Sequence, residues 1–205
     1  MKVIKSLIIS SFLIFLYGNI NAQFTHPAVI IKHDSTQVAC FARFPAKKNA
    51  KTIEFKTEKD GKFQKMKSSE IMTIRYFLNE DEYVEKEYIP YLRAHDVISG
   101  REKYSDPVWM DVIERGKITL FLNAVKDKSS RWRKYKYNYF YCRKENEVAI
   151  EMAITGDKHI LHAYAVDYFA ASPTISEKIK RCKEMVCSVS ADAFITMVEI
   201  YNSGE

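Results

Sequence analysis

The sequence predicts an α+β fold: an antiparallel β barrel or sandwich with a short inserted helix and C-terminal helices packed at one end. Three observations predict it. Short apolar runs separated by polar turns recur from Phe24 to Ile154, several of them alternating with period two. After Ile160 the apolar spacing becomes helical, and strands early with helices late is the α+β order. No repeat, low-complexity tract or linker rich in Pro, Gly or Ser divides the 205 residues.

The chain opens on a leader. Lys2 and Lys5 precede an apolar run from Ser6 to Gly18, and small Ala22 stands before Gln23. Charge, apolar stretch and small residue in that order are what a signal peptidase reads. The run falls short of the roughly 20 apolar residues that a membrane-crossing helix needs. The first cysteine is Cys40, so none stands at the cut to carry a lipid anchor. The expected organisation is a signal peptide at 1–22, a β-rich region at 23–158, a helical region of the same domain at 159–202, and a disordered tail at 203–205. The later apolar runs are short, so no transmembrane segment is expected after the leader, and a periplasmic or secreted location follows. A composition 47% hydrophobic and 13% aromatic supplies a substantial core and excludes a disordered chain. The formal charge of +6 falls to about +4 without Lys2 and Lys5, an excess too modest to name a partner.

Ala28–Ile31 and Val38–Phe41 flank the polar stretch His33–Thr36 and read as a hairpin. Thr52–Lys56 alternates, and Lys59-Asp60-Gly61-Lys62 signals a turn because Asp-Gly tolerates positive φ. Ile71–Leu78 and Tyr83–Ile89 are expected strands around Asn79–Asp81, and Pro90–Ser105 reads as a loop. The inserted helix is expected from Asp106 to Gly116. Asp106 would cap it, Pro107 would take its first position, Gly116 would follow its end, and Val108, Trp109, Val112 and Ile113 would share a face. Strands resume at Lys117–Leu122, and Arg131–Lys144 with Glu147–Ile154 reads as a long hairpin. Helices are expected with Leu161, Tyr164, Ala165 and Tyr168 on one face, then from Ser172-Pro173, then from about Ser190 with Phe194, Val198 and Tyr201 inward.

A family resemblance rests on several of these pieces. The ending Ala22-Gln23 of the leader, the turn Asp34-Ser35-Thr36, the strand Ile53–Lys56, Ser69-Glu70-Ile71, Gly116–Leu120, the tyrosine-rich strand and the ending Tyr201-Asn202 follow in order. That order resembles a diffuse group of uncharacterised exported proteins of Bacteroidetes-type Gram-negative bacteria. The chain departs from the group's pattern at the early turn, where His33 stands in place of a frequent glycine. The resemblance implies export and carries no activity.

The most distinctive chemistry lies between Lys126 and Lys144, where Arg131, Arg133, Lys134 and Lys136 accompany Tyr135, Tyr137, Tyr139 and Tyr141. On a strand the four tyrosines point one way, so they form either a platform for flat ligands flanked by cations or one face of a core strand. Nucleic acid is not the expected anion for an exported chain with a local basic excess. His159 and His162 stand three apart, at a spacing that can face one metal ion, without a third ligand fixed by sequence. No Gly-x-Ser-x-Gly, cysteine-protease or phosphate-loop motif is legible, and no cofactor is expected. The acidic residues Glu70, Glu80, Asp81 and Glu82 read as solvated turns. Four cysteines in an oxidising compartment allow disulfides, with Cys182–Cys187 and Cys40–Cys142 the favoured pairing and free buried thiols the alternative. The expected function is a non-enzymatic binding module whose partner is a protein or an anionic glycan of the cell envelope. A hydrolase with a dispersed site and an inhibitor or immunity-type protein are the alternatives.

Overall fold

The computed structural model describes residues 24–101, 103–126, 136–145, 147–156, 160–183 and 189–204, with the side chains at 126, 136 and 180–183 excepted. Residues 1–22, expected as a signal peptide, lie outside the described residues. Eleven strands form one sheet: β1 (Thr25–Lys32), β2 (Gln37–Arg43), β3 (Thr52–Lys56), β4 (Gln64–Lys67), β5 (Ile71–Phe77), β6 (Tyr83–Leu92), β7 (Ser105–Glu114), β8 (Ile118–Lys126), β9 (Lys136–Lys144), β10 (Ala149–Gly156) and β11 (Ile160–Leu161). The helices are α1 (Ala94–Ile98), α2 (Ala165–Tyr168), α3 (Pro173–Lys183) and α4 (Ala191–Ser203). Among the described residues no helix is long and apolar enough to cross a membrane.

The sheet order is β11-β10-β9-β8-β7-β6-β5-β1-β2-β3-β4, and β10 also returns to β6. Strands β6 to β10 run as a meander, so the first and fifth point the same way and the closing ladder must be parallel. That ladder is short, pairing Ala149 with Tyr91 and Ile150 with Leu92. The ring encloses Ile89, Tyr91, Val108, Met110, Phe121, Tyr141 and Ala149.

Two further cores flank this barrel. On one side β1 to β5 curl over the outer face of β6 and β7, burying Ile30, Ile53, Ile74 and Tyr76 against Trp109. The Trp109 indole donates to Ala50 O and Ser68 Oγ, both at 3.2 Å, and so ties the β3–β4 end of the sheet to β7. On the other side Leu120, Leu122, Phe140 and Met152 meet Phe169, Ile175, Ile179, Phe194 and Val198 of the helical segment. Phe194 and Val198 are fully buried, Tyr201 packs beside them, and Ser190 caps α4 by accepting from Ala193 N at 3.2 Å. Asn202 anchors the last turn, accepting from Ile118 N at 2.9 Å and donating to Ile118 O at 3.0 Å. Ser203 and Gly204, expected in a tail, are the last residue of α4 and its left-handed cap.

Several sequence expectations require correction. The stretch from Asp106 is strand β7, not a helix, and the inserted helix is α1, inside the expected loop. Val108, Trp109 and Met110 are consecutive and all buried, two in the barrel and one in the flanking core. A run buried on both faces satisfies helix and central-strand patterns alike, and tertiary packing decides. Pro107 and Pro90 fall together where the β6–β7 register shifts between Ile89 and Tyr91, a bulge that removes the need for their missing N–H groups. Gly116 is required by close approach: a Cβ there would lie 2.3 Å from Asn202 Cγ. The Asp60-Gly61 turn is present between β3 and β4, but Gly61 is not among the positive-φ glycines. Cys40 and Cys142 are both free and buried, on strands β2 and β9 with five strands between them, so they do not pair. Cys187 lies outside the described residues, as does the side chain of Cys182.

Candidate functional site

The tyrosine strand is graded rather than uniform. Tyr141 is 3% exposed and meets Tyr91 edge-on in the barrel core, with centroids 4.9 Å apart. Tyr139 is half-buried against the same core, and Tyr137 is half-buried with its ring 6.5 Å from Tyr139. The opposite face of β9 places Phe140 and Cys142 under the helices. A central strand covered on both sides must bury alternate residues in two cores. Lys136 begins β9 opposite Lys126, while Arg131, Arg133, Lys134 and Tyr135 lie outside the described residues.

The structure brings together a different set of charges. Strand β6 leaves one neighbour and joins another: its ladder with β5 ends at Lys86, and its ladder with β10 begins at Tyr91. Among the described residues, 87–89 are paired only with β7, through Met110, Trp109 and Val108. The sheet therefore forks along β6, and the fork opens into a cleft of about 820 Å³ lined by His33, Met72, Arg115, Lys117, Arg143 and Glu145 among others.

Two glutamates form its floor. Glu85 and Glu87 alternate on β6, so both project to the same side, and they are 7% and 3% exposed. A buried carboxylate is costly unless paired and hydrogen-bonded. Arg115, in the β7–β8 turn, places Nη2 2.6 Å from Glu85 Oε1, 2.6 Å from Glu87 Oε1 and 3.2 Å from Thr73 Oγ1. Arg143 Nη1 lies 2.9 Å from Glu87 Oε2, and Arg75 Nη2 lies 3.6 Å from Glu85 Oε2. All four carboxylate oxygens thus have a cationic partner. The Arg143 guanidinium also sits 4.8 Å from the Phe121 ring, which holds its plane at the end of the barrel core. Burial opposes the Arg115 charge, but the hydrogen bonds and charges of Glu85 and Glu87 outweigh it and raise its pKa above the ordinary arginine value.

Each arginine is anchored through one nitrogen. Among the described residues the Nη1 and Nε groups of Arg115 make no hydrogen bond, and Arg143 has no partner besides Glu87 and the Phe121 ring. The side chains are 43% and 26% exposed, so these donors face a cleft that solvent reaches. Guanidinium N–H donors of this kind can engage a carboxylate, phosphate or sulfate, here in a lining where Arg115, Lys117, Arg143 and Lys144 stand among Glu85, Glu87, Glu145 and Glu147.

A second cleft, of about 590 Å³, lies beneath α1 and is lined by Arg93, His95, Ile98, Glu151 and His162. Glu151, 7% exposed, holds His162 Nε2 at 3.3 Å from Oε1. The imidazole stacks on Tyr164 with centroids 5.5 Å and planes 7° apart, and the Tyr164 hydroxyl donates to the Glu151 carbonyl. Burial, with the Glu151 charge adding to it, pushes the Tyr164 phenol up. His162, expected as half of a metal pair, is thus joined to a carboxylate, and His159 lies outside the described residues. Among the described residues no group of three His, Cys, Asp or Glu side chains is placed to hold a metal ion.

Sequence reasoning placed Arg143 in the basic stretch but missed Arg115, Glu85, Glu87 and Glu151. The signal was present: two glutamates two residues apart inside a strand share a face and demand countercharges. Glu80 and Asp81 are exposed at the β5–β6 turn, as expected, and Glu82 is half-buried there. No protein-family model matches the chain, no curated protein matches it, and no solved structure matches its fold.

Proposed function

We propose that this is an exported, non-enzymatic binding module of the cell envelope or the secreted fraction, and that it captures an anionic group in the cleft where β6 forks. The observation that carries this reading is the pair Arg115 and Arg143, each fixed by a buried glutamate and each keeping N–H donors toward the cleft. Glu85 and Glu87 hold the guanidinium groups in place, so a ligand meets donors whose side-chain entropy is already lost. The leader, and the resemblance to exported proteins of Bacteroidetes-type bacteria, support the compartment.

Fluorescence anisotropy with a labelled ten-residue glutamate peptide and with an oligogalacturonate of equal charge tests the reading. At least one probe should bind, should weaken as salt rises, and should lose tenfold or more in an Arg115→Gln/Arg143→Gln variant. Because Arg115 also neutralises buried carboxylates, Arg115→Lys serves as a second variant that keeps the charge and removes the planar fork. Binding that is indifferent to both variants, or absent for both probes in wild type, contradicts the reading.

A hydrolase is the second reading, and the Glu151–His162 pair favours it. A carboxylate that fixes the imidazole tautomer leaves the other ring nitrogen as a base. Turnover of a p-nitrophenyl ester panel that disappears in His162→Gln would make that pair catalytic and overturn the non-enzymatic role.

A further inference from the structure

The outward face of the N-terminal sheet carries a short apolar row on β1 and β2, bordered on the same face by Arg43, Glu54, Lys56, Arg75 and Glu85. In β1, Ala28 and Ile30 point into the flanking core, so Pro27, Val29 and Ile31 point away from it. Their register partners continue the face: Phe41 opposite Pro27, Ala39 opposite Val29, Arg75 and Thr73 on β5, and then Phe77 opposite Tyr83. None of Val29, Ile31, Phe41 or Phe77 belongs to a buried core, and the described helices pack on β7, β8 and β10 instead. Antiparallel sheets with one wet face ordinarily alternate apolar inside with polar outside.

This face runs into the fork cleft. Ile31 and Thr73 line the cleft, and Thr73 Oγ1 accepts from Arg115 at 3.2 Å. One continuous surface therefore joins an apolar row, two part-engaged guanidinium groups, and a stretch of β6 with a strand partner on one side only. Each component selects for a different part of the same ligand. The arginines select a carboxylate, the apolar row selects aliphatic or aromatic side chains, and the open edge selects a backbone that can pair with it. A uronate or phosphate polymer supplies the first and neither of the others.

From this juxtaposition we infer that the partner is an extended protein segment carrying Asp or Glu next to apolar residues, which lies along the edge of β6 at 87–90 with its carboxylate on Arg115 and Arg143. The inference rests on the binding reading above and names its partner class. The open edge spans roughly 13 Å at the usual rise of a strand, room for about four residues. Pro90 lacks an N–H, so pairing concentrates on residues 87–89.

Selection of a displayed random twelve-residue peptide library on the full mature protein, counter-selected on Arg115→Gln/Arg143→Gln, tests it. The enriched peptides should combine an acidic residue with alternating apolar residues. A synthetic copy should lose tenfold or more in affinity on Ile31→Ser, at a residue that lines the cleft, and again when its alternate backbone nitrogens are methylated. Thermal melting of each variant establishes that the fold is retained. If oligogalacturonate binds in an Arg115-dependent way while no peptide is enriched, the protein-segment inference is overturned and the anion-binding reading stands. Enriched peptides insensitive to the Ile31 substitution and to methylation also overturn it. If neither peptide nor oligogalacturonate binds, both fall.

Discussion

The two flanks of the barrel use the same chemistry to different ends. On the β8–β10 side, outward residues Leu120, Leu122 and Phe140 are sealed by the helical segment and are at most 1% exposed. On the β1–β2–β5 side, outward residues Val29, Ile31, Phe41 and Phe77 are half-buried, and none is part of a core. A strand's apolar outer row is therefore not in itself a sign of core. Among the described residues, what differs is whether a later segment returns to cover it, as α4 does through the Asn202–Ile118 clasp.

Substitutions that read the two flanks against each other give the largest expected effect. Phe140→Ala should cost about 3–5 kcal/mol in urea denaturation, because it opens a cavity between β9 and the helices. Phe41→Ala should cost less than about 1 kcal/mol, since it removes no sealed contact. Equal losses at the two positions would mean that the N-terminal outer face is covered after all.

The Trp109 indole is one of the ties between β7 and the flanking core of the N-terminal half, which gives an intermediate effect. Trp109→Phe keeps most of the ring and removes the donor to Ala50 O and Ser68 Oγ. Ser68 Oγ still donates to Ala50 O at 2.7 Å, so neither acceptor is orphaned and the loss should be about 0.5–1.5 kcal/mol by the same denaturation measurement. A loss near zero would show that burial and the Trp109 N–H bond to Lys48 O hold the β3–β4 end without the indole donor.

How much of this was legible beforehand follows from the same contrast. The early hairpin, the Thr52–Lys56 strand, the β9–β10 hairpin and the Ser190 cap carry local signals, and all appear close to their expected positions. Strand β7 was illegible because Val108–Met110 faces two cores at once, and its Pro and Gly stand where a helix would also place them. The site was hidden for a related reason. Glu85 and Arg115 are brought together across 30 positions by the β6–β7 ladder, which sets Glu85 opposite Val112, and no short motif records that. The tyrosine strand drew attention through composition, yet its buried end, Tyr141, belongs to the barrel core.

The thiols offer a smaller test of burial in both flanks. Burial pushes Cys40 up to about 11, and burial raises Cys142 as well, so both should resist a thiol reagent at pH 8 until the protein unfolds. The folded thiol of Cys40 keeps its proton while the unfolded one loses it above about pH 9, so stability should fall as pH rises from about 9 to 11. Cys40→Ala should remove part of that alkaline loss in pH-dependent melting, whereas an unchanged slope would assign it to other groups. The smallest effect expected is Ser190→Ala, about 1 kcal/mol from the lost cap of α4, read as a lower melting temperature. No change there would mean that packing of Phe194 and Val198 alone fixes the helix start.

Hydrogen–deuterium exchange of the protein, free and with saturating ten-residue glutamate peptide or oligogalacturonate, whichever binds, tests the central claim most directly. The account predicts slowed exchange at the fork: along β6 at 85–89, in the β1–β2 turn near His33, and in the β7–β8 turn around Arg115. Protection confined to Tyr137–Tyr141, or to the cleft holding Glu151 and His162, would contradict it, as would no protection at all.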